Sequence, residues 1–158
     1  MPPRQNSDAV RVLLQRVTEA AVRVDRDTVG EIGHGLLALV AAGAGDTDQE
    51  AVWAAGKVAR LRVFADDEGR MNRSVIDVAG SVLVVSQFTL YADTARGNRP
   101  GFTGAAEPEL GRRLVDRFGE ELVALGVPIA RGRFGAHMDV ELVNSGPVTI
   151  WLDSARGS

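Results

Sequence analysis

Cysteine is absent from the 158 residues. That excludes disulfide frameworks, thiol nucleophiles and Cys-ligated zinc together. Histidine is nearly absent, with only His34 and His137, so a multi-histidine metal site within one subunit is not expected. No apolar run reaches the roughly 18 residues that a membrane helix needs. The N-terminus carries no apolar signal-peptide core, so a cytoplasmic protein without a membrane partner is expected. Positive charge is not in excess. The net charge of −3 and the pI near 5.4 give no global attraction to nucleic acid, and any such contact must use a local basic patch. A Gly-x-Ser-x-Gly nucleophile elbow, a Walker loop, a Rossmann fingerprint and internal repeats are also missing.

What is present reads as one ordinary globular domain, 45% hydrophobic and 25% charged. Residues 10–24 are β-branched and mostly alternating, which predicts a long strand or two halves of one. A turn at residues 25–27 and a short strand at 28–33 complete a hairpin. Residues 35–42 predict a buried strand. Thr47 with Glu50 forms a capping-box pattern. The helix it opens has Ala51, Val52, Ala55, Val58 and Ala59 on one stripe. Residues 61–64 predict a strand and 66–69 an acidic turn, whose spacing lacks the alternating ligands of a calcium loop. Residues 80–91 begin as a continuous apolar run, Val82 to Val85, which predicts a strand buried on both faces. That strand ends in polar Ser86, Gln87 and Thr89. A long loop follows over residues 91–106. Pro108 then opens a second helix with Leu110, Leu114, Phe118, Leu122 and Leu125 on one face, and Gly126 ends it. Residues 139–143 predict a strand, 144–147 a turn, and 148–152 a final strand. Residues 1–9 predict a disordered extension, 10–153 the domain and 154–158 a tail. The fold class is α+β: mostly antiparallel sheets packed in layers, with two helices covering one face.

Side-chain chemistry is sparse. Ser86 and Thr89 are candidate nucleophiles whose base would be His34 or His137. Asp139 and Glu141 share one side of a strand, a weak version of a carboxylate pair. Arg96, Arg99, Arg131 and Arg133 are suited to phosphate contacts or to ordinary surface. The residues alone therefore do not identify a substrate.

Two short motifs add to this. Ser86-Gln87-Phe88-Thr89-Leu90 and Asn144-Ser145-Gly146-Pro147-Val148-Thr149 resemble, in order, the two signatures of the D-aminoacyl-tRNA deacylase family. The segments 14–17, 69–72, 92–100 and 132–136 resemble the family as well, so the likeness spans residues 10–152. The resemblance implies a β-β-α sandwich that forms a homodimer with active sites at the interface. It implies hydrolysis of the ester between a D-amino acid, or glycine, and the tRNA 3′ end, without cofactor or metal. On that resemblance the backbone of Ser86, Gln87, Phe88 and Thr89 forms the catalytic pocket floor. Gly146-Pro147, with a cis peptide, reaches into the partner's site to exclude L-amino acids. Arg16 holds that unit, and Phe134 and Met138 line the adenosine and aminoacyl pocket. The family's chains tend to begin near Val10, which would make that position the natural start. His137, Ser145 and Gly101 depart from common family residues. Two other readings are a non-catalytic RNA- or ligand-binding module on the same scaffold, and a Ser/Thr hydrolase of another ester.

Overall fold

The structure, a computed structural model, describes residues 9–156. The expected disorder of residues 1–8 lies outside the described residues, as do the last two positions. Ala9 is buried, and Ser154 is buried and bonded to Val10 through both its hydroxyl and its N–H, at 2.9 and 3.0 Å. Both therefore pack with the domain.

Strand β1 (Arg11–Val24) runs directly into β2 (Asp27–Ile32). Asp25 and Arg26 turn the chain with φ of 50° and 73°, the twist that suits a two-residue hairpin. β3 (Gly35–Ala41) returns along the first half of β1, pairing Arg11 with Ala41 through to Val17 with Gly35. Helix α1 (Asp48–Arg60) then carries the chain across, past the short hairpin of β4 (Phe64–Ala65) and β5 (Met71–Arg73), to β6 (Ser81–Ser86). A 3₁₀ turn (Phe88–Tyr91), the long loop and α2 (Pro108–Ala124) lead to β7 (Ile129–Arg131), and β8 (Asp139–Asp153) closes the chain. The main sheet has the order β2-β1-β3-β6-β7, with β8 on β1.

Antiparallel pairs outnumber parallel ones, as expected, but β6 is parallel to both of its neighbours. The physical reason is that each pair is joined through a helix, α1 for β3–β6 and α2 for β6–β7, and parallel strands need such a crossover. The sheet is barrel-like. β2 comes so near β7 that a Cβ on Gly30 would lie 2.3 Å from the Arg131 carbonyl oxygen.

Strand alternation sorts the core into two clusters. Leu36, Ala38 and Val40 of β3 and Val82 and Val84 of β6 join both helices in the first. Leu37, Leu83 and Val85 point the opposite way into the second, with Val17, Ala20 and Val22. Burial on both faces explains the unbroken apolar run of β6.

Three local expectations are corrected. Residues 61–64 are not a strand; pairing is confined to Phe64–Ala65. On α1, Val52 is half-buried and Ala54 takes the inward place. Residues 139–143 and 148–152 are not two strands around a turn. They are one strand, because both flanks pair with β1 in the same antiparallel sense. The acidic turn of the β4–β5 hairpin is held from within. Asp66 accepts bonds from the Asn72 amide at 2.8 Å and from the N–H groups of Glu68 and Arg70 at 2.9 Å. These bonds, led by Asn72, hold its carboxyl below the usual aspartate range.

Phe118 of α2 is fully buried in the first cluster. Phe118→Ala is expected to lower the unfolding free energy by about 3–5 kcal/mol, measured as a shift in the urea midpoint at unchanged slope.

Candidate functional site

β6 ends at Ser86, and the chain tightens at once into the 3₁₀ turn. The last ladder-like bond is Gln87 N–H to the Val40 carbonyl, at 2.8 Å. Inside the turn, the Leu90 N–H donates to the Gln87 carbonyl at 3.2 Å. The N–H groups of Phe88 and Thr89 come first in that turn, where no intrahelical acceptor exists. Among the described residues neither donates to another element.

Beside this strand end opens a cavity of about 680 Å³. Val85, Ser86, Gln87 and Phe88 form one wall. The start of α2 contributes Pro108 and Gly111, and the loop before β8 contributes Phe134 to Met138. Phe134 is set by its neighbours: the Arg112 guanidinium lies 5.2 Å over its ring, and Gly111 leaves it room. Met138 bends back over Gly132, where a Cβ would meet its sulfur at 2.8 Å, and its sulfur accepts the Arg133 N–H at 3.4 Å. Phe102, which the sequence did not single out, lines the same cavity and meets Phe88 edge-on with centroids 5.0 Å apart. No local sequence pattern pointed to Phe102; its role follows from the path of the long loop.

Of the residues singled out from sequence, Ser86, Gln87, Phe88, Phe134 and Met138 thus share one cavity. Thr89 sits just beyond it, its hydroxyl accepting the Gln87 side-chain amide. Arg16, Gly146 and Pro147 stand elsewhere. Through β3, Arg16 is level with Val82, four residues and roughly 13 Å of strand from Ser86.

That second place is a bulge in β8. Val17 pairs with Asn144 and Gln15 with Thr149, so residues 145–148 face Arg16 alone. The neck is clasped by Asn144, whose amide donates to the carbonyls of Arg16 at 2.9 Å and Val148 at 3.0 Å. Thr149 donates to the Asn144 side-chain oxygen at 3.4 Å. Arg16 donates from Nε to the Ser145 carbonyl at 3.2 Å and from Nη1 to the Val63 carbonyl at 2.7 Å. The Gly146–Pro147 peptide is cis and both residues are exposed. Gly146 has φ of 122°, and a Cβ there would lie 2.8 Å from the Arg16 guanidinium. Only glycine fits such a place. The roles of Asn144 and Thr149 were readable as fixed members of the motif flanking Gly-Pro.

Conventional acid–base partners are not assembled. His34 abuts the start of β6, its carbonyl accepting from Ser81 at 3.2 Å, roughly 17 Å of strand from Ser86. His137 lines the cavity, but its one ion contact is Asp139 at 3.9 Å. No histidine hydrogen-bonds Ser86 or Thr89 among the described residues. Glu141 is engaged by Arg23 at 2.6 Å, which breaks up the Asp139–Glu141 pair. Arg131 is engaged by Asp116 at 3.4 Å. Tyr91 donates to the Ala9 carbonyl. Burial, and then the charge of Asp46, push its hydroxyl above the ordinary tyrosine value, so it stays protonated. Among the described residues no group of three or more His, Asp or Glu is placed to hold a metal ion. No helix among them is long and apolar enough to cross a membrane.

Known proteins match nearly the whole chain. The family model described as D-Tyr-tRNA(Tyr) deacylase matches residues 13–153. A D-aminoacyl-tRNA deacylase of Thermomicrobium roseum is 62% identical over 147 residues, covering 93% of this chain and 96% of its own. That of Dinoroseobacter shibae is 58% identical, covering 91% and 99%. Among solved structures, the c-Myc DNA Unwinding Element Binding Protein is similar with a TM-score of 0.85 and 38% identity, over 90% of this chain and 97% of that one. A probable eukaryotic D-amino acid tRNA deacylase shares the fold, with a TM-score of 0.78 at 22% identity, over 92% and 99%.

Asn144→Ala leaves the Arg16 and Val148 carbonyls without their shared donor. The expected cost is about 1 kcal/mol of stability, with faster amide exchange at Val17 and Thr149 than at the far end of β1.

Proposed function

The chain belongs to the D-Tyr-tRNA(Tyr) deacylase family, and from that premise we propose that it is a hydrolase of the ester joining a D-amino acid to the 3′ end of tRNA. The products are free amino acid and tRNA, and glycyl esters are substrates too. The observation that carries the reading is the β6 strand end. It opens on a cavity that Phe88 lines, and among the described residues the Phe88 and Thr89 N–H groups have no acceptor, in a protein that is otherwise a close family match.

The reaction needs little from side chains. The ester carbonyl oxygen sits against the N–H groups of Phe88 and Thr89, which stabilise the charge that develops on it as water attacks. The C–O bond to the ribose breaks, and the leaving 3′ oxygen takes the proton. The neighbouring ribose 2′-hydroxyl activates the water. Gln87 and Thr89 position the turn through their mutual hydrogen bond. Phe134 and Met138 take the apolar faces of the adenosine and the amino acid.

Selectivity comes from Gly146 and Pro147. They are exposed and lie roughly 13 Å along the sheet from their own Ser86. The protein acts as a homodimer in which this corner enters the partner's cavity. Its carbonyl oxygens occupy the space that an L side chain would need and leave the D side chain free. Arg16 fixes the corner through the Ser145 carbonyl. Discrimination then rests on repulsion of the wrong enantiomer.

Purified protein is expected to release tyrosine from D-Tyr-tRNA while leaving L-Tyr-tRNA intact; equal rates on both would remove the chiral corner from the mechanism. No release from either would favour a binding module on this scaffold. Thr89→Ala is expected to keep activity within about tenfold, against the roughly million-fold loss when a serine nucleophile is removed. Light scattering should give a dimer, and a monomer active at full rate would sink the cross-subunit arrangement.

A further inference from the structure

The net charge of the chain is −3, yet several arginines stand close in the chain to residues that line the cavity. Most arginines that the fold uses are committed: Arg23 to Glu141, Arg113 to Asp48, Arg117 to Glu121 and Arg131 to Asp116. Among the described residues, the guanidinium groups of Arg96, Arg99, Arg112 and Arg133 make no ion pair or hydrogen bond, and all four residues are exposed. Unpaired arginines occur elsewhere, as Arg26 does at the β1–β2 turn. What distinguishes these four is where they stand.

Arg96 and Arg99 lie on a small hairpin closed by two backbone bonds between Asp93 and Gly101, at 2.7 and 3.0 Å. The next residue, Phe102, lines the cavity. Arg112 follows Gly111 and Arg133 precedes Phe134, both of which also line it. The Arg112 guanidinium carbon lies 5.2 Å from the Phe134 ring centroid, within cation–π reach. Such a contact occupies no N–H group, so the guanidinium can still donate. Each arginine pair thus stands within a few residues of positions that line the one cavity, on separate elements of the chain. Acids are near as well: Asp93 accepts from the Ala95 N–H at 3.0 Å and Glu107 lines the cavity, but among the described residues neither forms an ion pair with these arginines.

We infer that Arg96 with Arg99, and Arg112 with Arg133, hold phosphates of the RNA strand that delivers its 3′ end into the cavity. This rests on the function proposed above and extends it from the terminal ester to the nucleotides behind it. The guanidinium fork matches a phosphodiester. Phosphate contacts set register and carry no base information. The grip is consequently indifferent to which tRNA is bound.

Binding can be read without catalysis. The probe is an uncharged, fluorescent RNA hairpin ending in single-stranded CCA, titrated with the full-length protein across a salt series. Each double variant, Arg96→Gln with Arg99→Gln and Arg112→Gln with Arg133→Gln, should bind about tenfold more weakly and lose about 1.4 from the slope of log affinity against log salt, the value for two single-strand phosphates. Arg26→Gln should keep the wild-type slope. On D-Tyr-tRNA the loss should fall on KM rather than kcat. Wild-type slopes in both double variants, or a loss confined to kcat, would overturn the clamp. Hairpin binding that depends on these arginines, in a protein that releases no D-tyrosine, would leave the clamp standing and remove the deacylase reading instead.

Discussion

The constraint on which most of the structure depends is the pairing of the first strand of the fold with the last: β1 and β8 run antiparallel for almost their whole length. Neither can remain regular throughout, because each serves both core clusters. Val12 and Leu14 of β1 pack in the first cluster, and Val17, Ala20 and Val22 in the second. Leu152 and Ile150 of β8 pack in the first, and Val140 and Leu142 in the second. Since side chains alternate, a strand that changes the cluster it feeds must break register somewhere. Here both breaks fall around Arg16 and Val17. The excess chain on the β8 side is residues 145–148. The corner presented to solvent is thus a consequence of how the two clusters are joined, and Asn144 and Arg16 satisfy the backbone groups that the break releases.

The same two-cluster plan positions the cavity. β6 is buried on both sides and flanked by β3 and β7, so it can end only where its neighbours no longer cover it. Its bonding to β3 stops with the Gln87 N–H. The residues just past that point have a fixed backbone, because the strand behind them is locked, and yet among the described residues the Phe88 and Thr89 N–H groups find no acceptor. Rigidity next to unfilled hydrogen-bonding capacity is what a pre-arranged oxyanion site requires. It is also what a strand end beside a helical turn provides without any special side chain.

Much of this was legible in the sequence, to different depths. The double burial of β6 followed from Val82 to Val85, and the second helix from Pro108, the leucine spacing and Gly126. The β8 bulge was not legible from residue types. Asn-Ser-Gly-Pro has the composition of a turn, and only the pairing partner shows whether the chain reverses or continues. The parallel setting of β6 was hidden for a similar reason, since orientation depends on the crossover and not on the strand. The two motifs marked the cavity wall and the β8 corner, but that these lie roughly 13 Å apart along the strand direction required the register of four strands. Phe102 escaped because a loop residue's neighbours are set by the loop's path. Arg112 looked like ordinary surface, and Arg133 suited phosphate contacts or surface alike, because their common neighbour, Phe134, joins them only in the folded chain.

The proposed reliance on backbone donors and the separation of the two motifs are connected. A pocket that works through backbone donors holds any ester of the right size, because N–H groups bind a carbonyl irrespective of the configuration next to it. Selectivity must then come from a different element, placed where the Cα substituents lie. That element must also be rigid, since a side chain could rotate out of the way of an L-amino acid. A backbone corner clasped by Asn144 and Arg16 meets that requirement. Within one chain it stands too far from its own pocket to do so. In the proposed mechanism, therefore, dimer formation is the step that adds discrimination to an otherwise unselective ester site.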